Sequence, residues 1–81
     1  MWKIYFLKSI KKNWYYVGST NDISRRMQEH NKGKVRSTKA YFPLKLVHVI
    51  ESTSEKDARD LEKKIKQKRL LKKEIIRTIK E

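Results

Sequence analysis

The sequence predicts a small α/β (α+β) protein, in which a compact, three-stranded, mainly antiparallel sheet is flanked by helices in the order β-β-α-β-α-α. Three observations lead to this fold class. Two aromatic and β-branched segments near the N-terminus are separated by a polar turn, and a third apolar segment follows the single proline. Two further stretches show helical spacing of apolar residues. Helices that cover the faces of a sheet produce a layered architecture of this kind.

The first two strands are predicted at residues 2–8 and 14–19. Their sequences, WKIYFLK and WYYVGS, are rich in the side chains that favour strands. The polar segment KKN at residues 11–13 separates them, so we expect a β-hairpin. Because side chains alternate along a strand, Tyr16 and Gly18 should lie on the same face of the second strand.

A first helix is predicted over residues 22–32. The segment Thr20-Asn21-Asp22 supplies side chains that can cap its N-terminus. Ile23 and Met27 are four residues apart and form its apolar anchors. Gly33 suits the left-handed conformation in which many helices end. The hairpin is therefore expected to lead directly into a short, mostly polar helix.

A third strand is predicted at residues 44–51, after a basic loop at 34–42 and Pro43. Apolar side chains fall on both faces of this strand, which favours a central strand that is covered on both sides. One face carries Leu44 and Leu46, extended by His48 and Ile50, and the other carries Val47 and Val49.

Two helices are predicted after the third strand. The segment Ser52-Thr53-Ser54-Glu55 fits the S-x-x-E pattern of a capping box. The inner stripe of the helix that follows is formed by Ala58, Leu61, Ile65 and either Lys68 or Arg69. The tail at residues 70–80, LLKKEIIRTIK, keeps helical spacing at Leu71, Ile75, Ile76 and Ile79. We place the break between the two helices at Lys72-Lys73.

Residues 1–81 are expected to form a single domain, because a chain of this length buries one thin core. The sequence contains no cysteine, which excludes disulfides and thiolate zinc sites. No segment approaches the roughly 18 apolar residues that suggest a membrane span. The N-terminal MWKIYFLKSI lacks the features of a secretory signal. We therefore expect a cytoplasmic protein without a membrane partner.

The net charge is the strongest bulk signal, with 22 Lys and Arg against 9 Asp and Glu, or +13. Residues 1–52 hold 11 basic and 3 acidic residues, a net +8, and residues 53–81 hold 11 and 6, a net +5. This charge exceeds the magnitude of roughly 2–8 that solubility requires. Such a charge attracts polyanions, of which nucleic acid is the commonest. Lysines that only solubilise a small domain are the alternative.

Three polar residues occupy informative positions in the predicted helices. Arg26 and His30 are four apart and share one helix face, where we expect them at the edge of the packed surface. Glu62 lies four residues after Ala58 and three before Ile65, so it leans on an apolar stripe. A carboxylate in that position is costly unless it has a partner, which could be a cation or a bound metal ion.

Each candidate residue also has an ordinary structural interpretation. Tyr5 and Tyr16 could be core aromatics, and Arg26 could be a solvated helix cation. His30 could be a cation that closes a helix C-terminus, where it would interact favourably with the helix dipole. Glu62 could form an exposed pair with Lys66. Only the joint order and spacing of these residues favours a functional site.

Two tyrosine motifs, Lys3-Ile4-Tyr5 and Tyr16-Val17-Gly18, place their tyrosines eleven residues apart. The glycine leads by eight to Arg26, which leads by four to His30, and Glu62 follows within the segment LEKKIK. In this order and spacing the chain resembles the GIY-YIG nuclease family, and most closely its small single-domain members. Five positions in the correct order make the resemblance specific.

The resemblance covers about residues 3–78 and includes the basic segment 33–39 and the segment PLKLV at 43–47. The sequence departs from the family pattern at two points. Lys3 stands where the first motif usually has a glycine. Larger members carry a late asparagine after the glutamate, and this chain has none beyond Asn31.

The resemblance implies a metal-dependent endonuclease that hydrolyses phosphodiester bonds in DNA. It implies Tyr5 as the general base and Tyr16 as a group that orients the nucleophile or binds the phosphate. It implies that Arg26 stabilises the phosphate and that Gly18 permits a close approach of backbone or substrate. It also implies that Glu62 holds one divalent ion, Mg²⁺ or Mn²⁺, through few protein ligands and several waters.

A phenol with a pKa near 10 is a poor base at neutral pH. A nearby cation lowers such a pKa because it favours the phenolate. We therefore expect a cation close to the first-motif tyrosine, supplied by Lys39, His30 or Arg26.

Two alternatives stay open at this point. Lys34, Arg36 and Lys39, in the basic loop, would bind nucleic acid in an enzyme and equally in a non-catalytic nucleic-acid-binding module with the same fold. The C-terminal helix could also mediate self-association or bind a protein partner, because its apolar residues exceed what one small core absorbs. Those residues are Ile75, Ile76 and Ile79.

Overall fold

The computed structural model describes residues 1–79 and contains one sheet with helices on both faces. The strands are β1 (Trp2–Ser9), β2 (Tyr15–Thr20) and β3 (Leu44–Ser52). The helices are α1 (Ile23–Asn31), α2 (Glu55–Gln67) and α3 (Arg69–Thr78). The predicted fold class and element order are therefore confirmed. Lys80, the end of the predicted tail, and Glu81, the end of the predicted domain, lie outside the described residues.

The first strand is the centre of the sheet. The strand order is β2-β1-β3, and β1 pairs antiparallel with both neighbours. Its residues Ile4, Tyr5, Phe6 and Leu7 are each at most 1% exposed, since helices cover both faces. The prediction that the third strand is central is wrong, because β3 pairs on one side only and is an edge strand.

A β-bulge in β3 explains why its alternation was misread. Phe6 pairs with His48 and Leu7 pairs with Leu46, so Val47 is an extra residue opposite β1. A bulge of this kind shifts the side-chain alternation along one strand by one residue. The predicted continuous face from Leu44 to Ile50 is therefore broken, and its two ends pack on opposite sides of the sheet.

The sheet separates two apolar clusters. The α2 core lies between the sheet and the two C-terminal helices and consists of Ile4, Phe6, Val17, Ala58 and Ile65, with flanking residues that include Val47 and Ile50. The α1 core lies on the other face and consists of Tyr5, Leu7 and Leu44, against which Trp14, Tyr16, Ile23, Met27 and Tyr41 pack. Alternate residues of β1 therefore enter different cores.

The ends of α1 match the sequence prediction. The side chain of Asp22 accepts a hydrogen bond from the backbone N–H of Arg25 at 3.1 Å, which caps the first turn. Gly33 adopts a φ of 71°, in the left-handed region that glycine occupies at low cost. This turn directs the chain into the loop that precedes β3.

The start of α2 differs from the prediction. Its cap is Ser54, whose side chain accepts from the backbone N–H of Asp57 at 3.1 Å, and the helix begins at Glu55. The predicted capping box from Ser52 is wrong because Ser52 is still paired with Trp2 in the sheet.

The break between α2 and α3 also differs from the prediction. It lies at Lys68, which has extended backbone, whereas Lys72 continues α3 through a bond from its N–H to the carbonyl of Lys68. Lys68 and Arg69 are exposed and do not extend the inner stripe of α2.

The apolar residues of α3 are used inside the fold. Leu71, Ile75, Ile76 and Ile79 are partly buried against the α2 core. The apolar excess that favoured self-association or a protein partner through this helix therefore has an intramolecular explanation, and neither interaction is supported. Among residues 1–79, no helix has the length and apolar character needed to cross a bilayer. The predicted cytoplasmic location stays a prediction.

Replacing Ile65 by alanine should lower the free energy of unfolding by about 2–5 kcal/mol, because its fully buried side chain would leave a cavity in the α2 core. The matched control is Leu70→Ala, since Leu70 is 78% exposed at the start of α3 and should cost little. Urea denaturation of both variants measures the difference. Equal losses would contradict the assignment of the core to α2.

Candidate active site

The phenol of Tyr5 occupies the centre of the candidate site, and a glycine makes room for it. Tyr5 pairs directly with Gly18 across the hairpin, so both residues face α1. A Cβ atom on Gly18 would lie 2.5 Å from the phenol oxygen and 3.0 Å from the ring of Tyr16. The group that lies close to Gly18 is thus the phenol of Tyr5, and any larger residue at position 18 would displace that phenol.

A chain of three buried polar side chains connects β1, α1 and the basic loop. The phenol oxygen of Tyr5 lies 3.0 Å from Nε2 of His30. Nδ1 of His30 lies 2.8 Å from Oγ1 of Thr38. His30 and Thr38 are fully buried, and Tyr5 is 1% exposed. The loop between α1 and β3 is thereby attached to the centre of the sheet.

The hydrogen-bond partners assign the proton positions in this chain. The hydroxyl of Thr38 lies 3.4 Å from the carbonyl of Val35, to which it can donate, and we infer that it accepts from His30 Nδ1–H. A neutral imidazole carries one N–H and one bare nitrogen. Nε2 is therefore the acceptor, and the phenol O–H of Tyr5 donates to it.

The imidazole of His30 is neutral at ordinary pH. Burial, reinforced by the positive charge of Arg26, lowers its pKa to about 4. The expectation that His30 lies at the edge of the packed surface is wrong, because the end of α1 is covered by the basic loop. The interpretation of His30 as a cation at the helix C-terminus is wrong for the same reason.

The expected lowering of the Tyr5 pKa is also wrong for this structure. Burial raises the pKa of Tyr5 to about 12, and the opposing hydrogen bond from Arg26 is the weaker influence. A neutral His30 supplies no positive charge to the phenol. Tyr5 is therefore protonated at neutral pH, and its hydroxyl is both a donor and an acceptor.

Arg26 approaches the phenol from the first turns of α1. Its Nε–H donates to the oxygen of Tyr5 at 3.4 Å, and its NH1 group binds Glu29 at 3.0 Å. The bond to Tyr5 raises the pKa of Arg26, and the bond from Arg26 lowers the pKa of Glu29. About a third of the Arg26 side chain is exposed, so a fixed cation adjoins Tyr5 and also faces solvent.

Tyr16 continues the site toward the edge of the sheet. Its ring centroid lies 5.3 Å from that of His30 and 6.3 Å from that of Tyr5. On its other side Trp14 stacks at 6.1 Å, and Trp14 in turn stacks on Tyr41 at 3.8 Å. The two tyrosines of the sequence motifs are thus neighbours in one aromatic group.

Glu62 lies at the free edge of β2. One carboxylate oxygen accepts from the Ser19 hydroxyl at 2.5 Å, and the other binds Lys66 Nζ at 2.8 Å. The carboxylate is 20% exposed and borders an open cavity of about 470 Å³. The prediction that this carboxylate needs a partner is confirmed, and in this structure that partner is Lys66 as well as Ser19.

Glu62 is connected to the phenols of Tyr5 and Tyr16 across the β2 edge of the sheet. Helix α2 packs on the face opposite Tyr5, but β2 is the outermost strand and Gly18 is small. Lys66 binds Glu62, and its ammonium also lies 5.1 Å from the ring centroid of Tyr16. Arg26 and His30 therefore each contact Tyr5 on the α1 face, whereas Glu62 lies on the α2 face and is linked to Tyr16 through Lys66.

The side chains around Glu62 determine whether the site can hold a divalent cation. Within residues 1–79, no group of three or more His, Cys, Asp or Glu could hold a metal ion. Mg²⁺, however, commonly uses one or two carboxylates together with waters and substrate phosphates. Glu62 has a partly exposed carboxylate beside a cavity with room for these, so it fits a water-rich magnesium site.

The three cations of the predicted nucleic-acid-binding loop are exposed. Lys34, Arg36 and Lys39 alternate in the loop with Val35 and Thr38, which are buried. The loop is therefore held to the body of the protein while its charged side chains reach solvent beside His30.

The sequence reasoning missed Thr38, Ser19 and Lys66 as members of this site. Thr38 orients His30, Ser19 binds Glu62, and Lys66 connects Glu62 with Tyr16. Strand alternation places Ser19 on the face opposite Tyr16 and Gly18, toward α2, which was a usable signal. Lys66 was considered only as an exposed partner of the glutamate. Nothing local in the sequence distinguishes Thr38 from Ser37.

Lowering the pH from about 6.5 to about 4 should destabilise the protein on the order of 1–3 kcal/mol through His30. The unfolded chain binds a proton near pH 6.5, whereas folded His30 does not until about pH 4, so stability is lost as pH falls through this window. Urea denaturation across the window measures the slope. The slope of the free energy of unfolding against pH should be shallower in His30→Gln than in the wild-type protein. An unchanged slope in His30→Gln would contradict a neutral His30.

Replacing Thr38 by valine should lower the free energy of unfolding by about 1–3 kcal/mol, because His30 Nδ1–H would lose its acceptor in a buried environment. The neighbouring Ser37→Ala is the matched control, since Ser37 is exposed. Thermal and urea denaturation of both variants provide the comparison. A Thr38→Val protein as stable as Ser37→Ala would contradict the assigned hydrogen bond.

Comparison with known proteins places these residues in a family. The family model described as the GIY-YIG catalytic domain matches residues 1–74. A UPF0213 protein from Streptococcus pneumoniae is 38% identical over 61 residues, which cover 74% of this chain and 62% of the relative. The chain thus spans less than two thirds of that relative's length. The UPF0213 protein YazA from Bacillus subtilis is 31% identical over 72 residues, covering 88% of this chain and 73% of YazA.

A solved structure has the same fold. The solution structure of the UPF0213 protein BH0048 from Bacillus halodurans matches with a TM-score of 0.57 and 28% identity, covering 94% of this chain and 83% of that protein. The family match extends over both tyrosine motifs, α1 and α2, which carry the candidate site. The chain therefore belongs to the GIY-YIG family, whose members are generally nucleases.

Proposed function

We propose that this protein is a metal-dependent endonuclease that hydrolyses phosphodiester bonds in DNA, with residues 1–81 forming a single catalytic domain. The observation that carries the proposal is the position of the Tyr5 oxygen, between Nε2 of His30 at 3.0 Å and Nε of Arg26 at 3.4 Å. A proton donor-acceptor and a permanent cation thus meet on the α1 face, and Glu62, across the β2 edge of the sheet, is linked to Tyr16 through Lys66.

Tyr5 would act as a general base by relaying a proton. Its pKa of about 12 excludes a substantial population of phenolate at neutral pH. A phenol can instead accept a proton from the attacking water while it gives its own proton to Nε2 of His30. Nε2 of His30 lies 3.0 Å from the phenol oxygen and is the acceptor in this pair, so it is positioned to receive that proton. Thr38 would then stabilise the imidazolium through Nδ1–H.

Arg26 would bind the phosphate as negative charge develops during attack. Its guanidinium is planar, permanently charged and suited to phosphate oxygens. The NH1 group is held by Glu29 and the Nε group by Tyr5, so the side chain is fixed in direction. One third of the side chain reaches solvent, which gives a substrate access to it. Tyr16 would orient the water or donate to the same phosphate.

Glu62 would hold one divalent ion, Mg²⁺ or Mn²⁺, with waters and a phosphate oxygen completing its coordination. When bound, such an ion stabilises the leaving 3′-oxygen. The carboxylate oxygen that binds Lys66 would have to exchange this partner for the metal. Lys66 lines the same cavity and could then move to a substrate phosphate.

The net charge of +13 favours a nucleic-acid substrate, since phosphate contacts by Lys and Arg release counterions. Lys34, Arg36 and Lys39 would contact the strand beside His30, because they are exposed on the loop that Thr38 attaches to the site.

A non-catalytic nucleic-acid-binding module is the second candidate. The observation in its favour is that both oxygens of Glu62 already have partners, Ser19 and Lys66. The absence of an asparagine beyond Asn31 removes a residue that larger relatives carry. Such a module would bind DNA without cleaving it under any metal.

Replacing Glu62 by glutamine should abolish cleavage of DNA in Mg²⁺ or Mn²⁺ and preserve DNA binding, because it removes the metal ligand and retains the shape of the side chain. Glu55→Gln, at the start of the same helix, is the matched control. Cleavage is measured on duplex, branched and single-stranded DNA. A wild-type protein that binds but never cleaves would favour the non-catalytic module.

Replacing Arg26 by alanine should lower kcat by about 10²–10³-fold, the usual loss when one stabilising donor to the transition state is removed. The adjacent Arg25→Ala is the control, since Arg25 is exposed and the cation that binds Tyr5 is Arg26. Folding should be preserved in both variants. A collapsed melting temperature in Arg26→Ala alone would show that Arg26 is structural.

A further inference from the structure

We propose that a second cavity binds one nucleotide of the substrate strand outside the cleavage position. Cations of α3 would hold its phosphate, and its base would lie against Trp14 and Tyr15. The proposal deepens the proposed function and rests on it, since it takes the bound polymer to be nucleic acid.

The cavity lies between the β-hairpin and α3 and has a volume of about 320 Å³. This volume is at the lower end of the range in which proteins bind small ligands. The hairpin contributes Asn13, Trp14 and Tyr15, and the helix contributes Arg69, Lys72 and Lys73. Within the described part of the chain, no acidic residue lines this cavity.

Three cations converge on the cavity from consecutive turns of α3. Lys72 is half-buried and donates to the backbone carbonyl of Tyr15 at 3.3 Å. Burial lowers the pKa of Lys72, and the positive charge of Lys66 lowers it further. Like charges that are partly removed from water repel one another, and a phosphate between them would offset that repulsion. An anionic ligand is therefore the chemistry that the cavity fits.

The aromatic residues of the cavity favour a nucleotide over a simple anion. Trp14 and Tyr15 are half-buried, and the indole of Trp14 is held by a parallel stack on Tyr41 with an interplanar angle of 7°. Because Tyr41 and Tyr16 stack on the indole of Trp14, an unpaired base would contact the edge of the indole beside Tyr15, a contact that requires no particular sequence. Cations beside aromatic rings are the combination that binds single-stranded nucleic acid.

The second cavity and the candidate active site lie along the same strand. Tyr15 and Ser19 are four residues apart on the edge strand β2, a distance of roughly 13 Å at about 3.3 Å per residue. Ser19 borders the cavity at Glu62 and Tyr15 borders the second one. Lys66 lies between them, since it binds Glu62 and its charge acts on Lys72. A substrate strand along β2 could therefore occupy both cavities.

The first test measures affinity for a labelled single-stranded oligonucleotide in EDTA, where metal-dependent cleavage is excluded. The double variant Arg69→Gln with Lys73→Gln removes two exposed cations of the cavity. It should raise Kd about 10-fold and reduce the salt dependence of log K by about 0.7, the value for one lost phosphate contact on a single strand. The control, Lys56→Gln with Lys64→Gln, removes the same charge from α2 outside the cavity.

The second test asks whether a base enters the cavity. In a Trp2→Phe background, Trp14 is the sole tryptophan. Its fluorescence should be quenched by an oligonucleotide with bases and hardly changed by an abasic strand of equal length. Equal responses to both strands would contradict contact between a base and Trp14. Equal weakening by the two double variants would contradict the phosphate site, since net charge alone would then explain binding.

Cleavage kinetics separate this proposal from the proposed function. The Arg69→Gln with Lys73→Gln variant should raise KM about 10-fold and leave kcat unchanged, as expected for a contact remote from the chemistry. If the two oligonucleotide tests give the expected results but the wild-type protein cleaves no DNA, the nuclease proposal alone is overturned. If the wild-type protein cleaves DNA normally but the two double variants have identical KM values, only the proposal that the second cavity binds a nucleotide is overturned.

Discussion

The buried hydrogen bond between Tyr5 and His30 is the constraint on which the rest of the site depends. It joins the central strand to the end of α1, and Thr38 extends it to the basic loop. The bond exists because Gly18, opposite Tyr5, leaves the space that the phenol occupies. Burial keeps the phenol protonated and the imidazole neutral, so the same packing that holds the fold together also determines which way a proton can move.

The α2 core supports site residues from behind the sheet, whereas the α1 core itself contains a site residue. The α2 core is apolar and fixes the helix that carries Glu62 and Lys66. The α1 core contains Tyr5, and its partners on β2 and α1 are aromatic or polar. β2 is an edge strand, so groups from both faces of the sheet meet along it. A strand of nucleic acid that follows this edge would encounter the carboxylate, the aromatic rings and the cations in succession.

Local patterns in the sequence predicted most of the fold. The caps at Asp22 and Gly33 and the order of elements are short-range features, and they were predicted correctly. The position of β1 in the sheet was predicted wrongly, because strand order depends on long-range pairing. The bulge at Val47 also disguised the alternation of β3. The exposure of His30 and the direction of the Tyr5 pKa shift were predicted wrongly, because both depend on burial in the folded structure, which for His30 involves the basic loop. No local pattern reveals that loop's contact through Thr38.

The tautomer of His30 at neutral pH tests the central claim most directly. Long-range ¹H–¹⁵N correlation spectra of the imidazole distinguish a protonated nitrogen from a bare one. We predict a neutral ring with the proton on Nδ1 and a bare Nε2 that accepts from Tyr5. A ring protonated on Nε2, or on both nitrogens, would contradict the account, because Tyr5 would then have no acceptor for its proton.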